Sequence, residues 1–112
     1  MLFNMKQLRS DILKKNIGNS FEVIKKIITE NYYQTKGEFL LVVKDVDVCE
    51  ITLIPETTEH IVIKAMTKVI VKDKNLIDGI YHEIVMDKGS SVELCEVGGI
   101  FYIIASDGLK FD

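Results

Sequence analysis

The chain has 112 residues, 47% apolar and 28% charged, with one proline, two cysteines and a formal net charge of −3. That length suits one domain with a modest core, and the apolar share excludes the polar, highly charged composition of intrinsic disorder. No apolar run approaches the ~18 residues that span a bilayer, and the charges at Lys6, Arg9 and Asp11 argue against a secretory leader, so a cytoplasmic protein with no membrane partner is expected.

The modest total hides an asymmetry. Residues 1–36 carry seven Lys/Arg against three Asp/Glu and residues 37–112 seven against fourteen, so a basic segment of net +4 precedes an acidic one of net −7. One domain over 1–112 is expected, built from a basic helical hairpin (1–36) and an acidic β-rich part (37–112).

Met5, Leu8 and Ile12 fall at i, i+3 and i+7, with Lys6, Arg9, Lys14 and Lys15 around the other face, which predicts an amphipathic helix stopped at Gly18. Asn19 and Glu22 have the spacing of an Asx capping box, and Phe21, Ile24, Ile27 and Ile28 continue an apolar stripe toward Tyr32, which predicts a second helix. A helix-turn-helix use of this hairpin would set Arg9, Lys14, Lys15, Lys25 and Lys26 against nucleic acid phosphates. The second helix offers only a narrow polar strip for reading bases, so DNA-binding regulation stands as the alternative function.

Strand signals follow. Glu38 to Lys44 is a compact apolar run, and Val46 to Ile54 alternates with Cys49, Ile51 and Leu53 on one face. Pro55 ends that segment, Glu56 to Glu59 reads as a turn, and His60 to Lys72 resumes the alternation with a bend near Met66-Thr67. Asn75 to Lys88 carries both periods; Gly79 disfavours a helix by about 1 kcal/mol, and a strand over Ile80 to Met86 is preferred. Lys88-Gly89-Ser90 and Gly98-Gly99 then read as hairpin turns joining Ser91 to Val97 and Ile100 to Ala105.

This tail, DGIYHEIVMDKGSSVELCEVGGIFYIIASDGLKFD, resembles the meander of small SH3-like barrels. The resemblance covers about a third of the chain, implies only a fold, and supplies no functional residue. The expected fold is therefore α+β, with an N-terminal helical hairpin packed on an antiparallel β-meander or partly open SH3-like barrel.

Chemistry is sparse. His60 and His82 each abut a glutamate, but neighbours on a strand point to opposite faces and do not form an oriented pair. Cys49 and Cys95 form no CxxC motif, and no nucleotide, acyl-transfer or zinc-protease signature occurs. No catalytic residue, metal or cofactor is expected, and both thiols read as structural, Cys95 for want of a basic neighbour in sequence. The tyrosines Tyr32 and Tyr33 and the carboxylates Asp45, Asp47, Glu50, Glu93 and Glu96 are the candidate partner-binding residues. The function expected is a small non-enzymatic binding or regulatory protein acting through protein-protein contacts. An inhibitor of a nucleic-acid-handling partner, presenting an acidic face to a basic groove, is its sharpest form. The generous apolar share adds an expected homo-oligomer.

Overall fold

The computed structural model describes residues 24–111, and among these there are eight β-strands and no helix. The strands are β1 (Lys25–Ile28), β2 (Tyr32–Gln34), β3 (Leu40–Val43), β4 (Val48–Thr52), β5 (His60–Ala65), β6 (Lys68–Ile77), β7 (Tyr81–Val97) and β8 (Ile100–Phe111).

Consecutive strands do not pair with each other through the first three pairs. β1 lies parallel to β3, with Lys25 opposite Leu40, and β3 parallel to β5, with Leu40 opposite Val62. β2 lies parallel to β4, with Tyr32 opposite Glu50, and β4 parallel to β6, with Val48 opposite Lys68. The chain thus winds in coils, each adding one strand to an arm β1-β3-β5 and one to an arm β2-β4-β6. β7 then runs antiparallel to both arms: its first half pairs with β6 (Val69 opposite Met86) and its second half with β5 (Ile61 opposite Leu94). β8 returns antiparallel along the other side of β7. The product is an all-β, nearly closed barrel.

Period-two patterning explains why these segments are strands. In β5 Ile61, Ile63 and Ala65 are buried while His60, Val62 and Lys64 are half-buried on the outer face. The inward residues of the arms share one core, with Leu41, Val43, Ile61 and Ile63 in one arm and Ile51, Leu53, Val69 and Val71 in the other. Each such side chain contributes about 1.5–3 kcal/mol of hydrophobic stabilisation. Phe101 of β8 is fully buried in the same cluster.

Polar corners hold the coils in register. The Tyr33 hydroxyl donates to Glu38 Oε2, the Lys36 N–H donates to Glu38 Oε1 at 2.6 Å, and the Ile54 N–H donates to Thr35 Oγ1 at 2.9 Å. Thr57 Oγ1 donates to the Thr35 carbonyl at 2.9 Å, and the Gly37 N–H to Thr58 Oγ1 at 3.2 Å. These bonds satisfy the buried Thr35, Glu38 and Thr58 and tie the loop after β2 to the loop after β4. At the far end the turn after β6 closes on β8. Asp78 donates its N–H to the Phe101 carbonyl and accepts from the Ile103 N–H at Oδ1, both at 2.9 Å, and Asn75 Nδ2 donates to the Gly99 carbonyl at 3.0 Å.

The α+β expectation is overturned. The first helix of the expected hairpin falls outside the described residues, but from Ile24 onward its second helix is replaced by β1 and β2. The backbone groups there bond outward to the next coil: the Phe39 N–H donates to the Ile24 carbonyl at 2.8 Å and the Lys44 N–H to the Ile28 carbonyl at 3.0 Å. The apolar stripe does not mark a buried helix face, since Ile24 and Ile27 are 49% and 57% exposed and only Ile28 is inside. The antiparallel SH3-like meander is also replaced. The first six strands pair with one another in parallel, and hairpins come only at the end of the described chain: β6 and β7 through the turn at 78–80, and β7 and β8 through the expected Gly98-Gly99 turn. Lys88-Gly89-Ser90 is no turn between strands. It is a corner within β7, where the register against β8 shifts between Met86 and Ser91 and Gly89 takes φ +96° as the strand crosses from one arm to the other.

Candidate functional site on the outer sheet faces

With the interior filled by side chains, chemistry is confined to the outside of the arms. On the β5 and β7 face, the Glu96 N–H donates to the Glu59 carbonyl at 2.8 Å, so Glu59 and Glu96 form a hydrogen-bonded pair. Antiparallel pairs alternate, which makes the adjoining pair, His60 opposite Cys95, one of the non-hydrogen-bonded kind. There the Cα atoms approach to about 4.5 Å and the side chains lie closest. His60 Nε2 is 2.6 Å from Glu93 Oε2, with both side chains largely covered. The Phe39 ring packs tilted against the imidazole, centroids 5.6 Å apart. Phe39, His60, Glu93 and Cys95, from three separate segments, thus share one patch.

The second concentration is apolar and lies around β8. Ile80, Val97, Tyr102, Ile104 and Phe111 are all substantially exposed there, and Phe111 stacks on Tyr81 with centroids 4.3 Å apart. Asp78 occupies the outer backbone edge at Phe101 and Ile103. From Ile104 to Phe111, β8 pairs with β7 and with no other strand among the described residues.

The candidate partner-binding residues are distributed over several places. Tyr32 and Tyr33 take opposite faces of β2, Tyr32 71% exposed and Tyr33 buried. Burial first, then the bond to Glu38, drives the Tyr33 phenol well above its ordinary value, and Lys26 Nζ lies 4.8 Å from its ring centroid. Asp45 and Asp47 are exposed in the connection between β3 and β4. Glu50, on the outside of the β4 arm, pairs with Lys72, in a shallow groove that Tyr32 and Asn31 also line. Glu93 holds His60 in the opposite arm, and Glu96 Oε2 accepts from the Gly99 N–H at 2.6 Å. Of the candidate nucleic-acid-binding residues, Lys25 and Lys26 are on β1 and exposed, while Arg9, Lys14 and Lys15 lie outside the described residues.

Cys49 is fully buried in the core, where desolvation, with smaller contributions from Glu30 and Glu50, pushes its thiol up to about 11. Among the described residues no group of three His, Cys, Asp or Glu side chains is arranged to hold a metal ion, and no helix is long and apolar enough to cross a membrane. Sequence reasoning missed Phe39, Tyr102 and Ile104 and the meeting of His60 with Cys95. The uncharged stretch from Gly98 to Ser106 was the one local signal for the β8 surface; the register that sets His60 opposite Cys95 has none. Comparison with known proteins gives no matching family model, no similar characterised protein and no similar solved structure.

Proposed function

We propose that this chain is a non-enzymatic binding module that works through protein-protein contacts, and that its first partner is a second copy of itself docked along β8. The observation that carries this reading is the edge of β8 from Ile104 to Phe111, which no second strand among the described residues covers, flanked by exposed Tyr102, Ile104 and Ile80. An unpaired edge offers a row of N–H and C=O groups to another strand; the stretch holds no proline and two charges, Asp107 and Lys110, and its register against β7 shifts at Ile104 and at Gly108. Those two charges favour a copy of the same strand. Antiparallel docking about a twofold axis sets Asp107 of each copy opposite Lys110 of the other, which also pairs with Asp87 of its own chain at 2.8 Å. A cytoplasmic setting fits a chain whose two cysteines form no disulfide.

Sedimentation equilibrium tests the reading. The wild type is expected at twice the chain mass, with Ile104→Lys and Lys110→Asp shifted to the monomer at unchanged circular dichroism. A wild type that sediments as a monomer at every soluble concentration, or variants that dimerise as it does, would overturn it.

A further inference from the structure

Beyond that contact surface, we infer that Cys95 is a nucleophilic thiol that exchanges with low-molecular-weight disulfides, with His60 as its base and Glu93 as the positioning residue. Three observations converge. Cys95 stands directly opposite His60 in the close type of antiparallel pair. His60 Nε2 is tied to the Glu93 carboxylate at 2.6 Å, which places the proton of the neutral ring on Nε2 and leaves Nδ1 as the basic nitrogen. Phe39 packs on the ring and limits its rotation. A cysteine, an imidazole and an orienting carboxylate are the parts that activate a thiol in nucleophilic chemistry.

Tyr102 stands opposite Cys95 across the second side of β7, the Glu93 carboxylate lies two residues along the same face, and Phe39 packs on the imidazole. Cys95 is only half-buried, unlike Cys49, so a small disulfide can reach it.

The step balances as an exchange. His60 accepts the Cys95 proton, the thiolate sulfur attacks one sulfur of the incoming disulfide, and a new S–S bond forms as the old one breaks. The departing thiolate takes the proton from the imidazolium, leaving a mixed disulfide on Cys95 and one small thiol in solution. No net oxidant is consumed beyond the disulfide itself.

The probe is the aromatic disulfide 5,5′-dithiobis(2-nitrobenzoate) on the folded full-length chain, with the modified site located by mass spectrometry. Cys95 is expected to react first, about tenfold faster at pH 7 than a cysteine in an unstructured peptide, while Cys49 reacts only after denaturation. His60→Gln and Glu93→Gln are each expected to slow the reaction and to move the midpoint of its pH–rate profile up toward the free-cysteine value of about 8.5. A Cys95 that is unreactive in the native protein, or that reacts at the peptide rate with a profile indifferent to both substitutions, would overturn the assignment.

Discussion

Gly37 sits at φ +100°, and a Cβ built there would lie 2.9 Å from the Thr57 carbonyl oxygen, a backbone atom that cannot swing aside. Gly79 also has positive φ, +74°, but a Cβ there meets nothing within 4 Å. The two positions separate conformational strain from collision. Gly79→Ala is expected to lose about 1–2 kcal/mol from the left-handed backbone alone, and Gly37→Ala measurably more, because it also pushes apart the two loops that Thr35, Thr57 and Thr58 tie together. Paired thermal melts would show this, at roughly 4–8 °C per kcal/mol for a domain of this size; equal losses would mean the loops yield freely. Single residues were also where the sequence was least legible. Nothing around Cys95 announces a base, because His60 arrives from another strand and only the register brings it there.

Among the elements, β6 carries an evident internal tension. Between Lys72 and Ile77 its register against β7 shifts, and Asp73 points inward at that irregularity. Its Oδ1 accepts from the Asn75 N–H at 3.3 Å, while Oδ2 is buried with no hydrogen-bond partner. Burial raises the Asp73 pKa above 3.8, outweighing the bonds from Asn75 and Lys74 that lower it. An acid with a folded pKa above its unfolded value leaves stability intact below the unfolded value, and that stability is lost as pH rises through the folded one. Asp73→Asn is therefore expected to be more stable than the wild type at pH 7, the gap closing as the pH falls toward about 4. Urea titrations at the two pH values would settle it, and a gap that persists in acid would remove the carboxylate as its cause.

Elements with a clear apolar pattern were legible: β3 lies within the compact apolar run from Glu38 to Lys44, β4 and β5 lie within the alternating segments, and Pro55 does end the β4 segment. β1 was not. Ile24, Ile27 and Ile28 satisfy a helical spacing by coincidence, and in a strand this short only Ile28 needs to be buried for the segment to hold. Pairing direction was equally hidden, since the short polar loops between coils have the composition of hairpin turns.

For the whole molecule, five of the seven strand pairings among the described residues join strands that do not follow each other in the chain. β3 meets β5 with Leu40 beside Val62, and the first half of β7 must find β6 before its second half finds β5. Closing such loops costs chain entropy before contacts repay it, so refolding is expected on the millisecond-to-second scale and not in microseconds. Stopped-flow dilution from denaturant measures it, and a submillisecond phase carrying the full signal change would contradict the coiled topology. The charge asymmetry of the sequence survives at this scale only in part. Lys26 and Lys36 both lie over the Tyr33 ring, at 4.8 and 5.6 Å from its centroid, so part of the basic segment clusters at the corner nearest the start of the sheet.

The reversal of chain direction at β7 has an architectural consequence. Below it, every turn of the coil repeats the same move and presents the same parallel edge for the next; above it, that invitation is withdrawn, because an antiparallel strand crosses both arms at once. Among the described residues the winding therefore repeats below β7 and is terminated by it. A sequence that duplicated one turn, inserted between β4 and β5, would lengthen the body by about 4.8 Å and leave β7 and β8 unchanged.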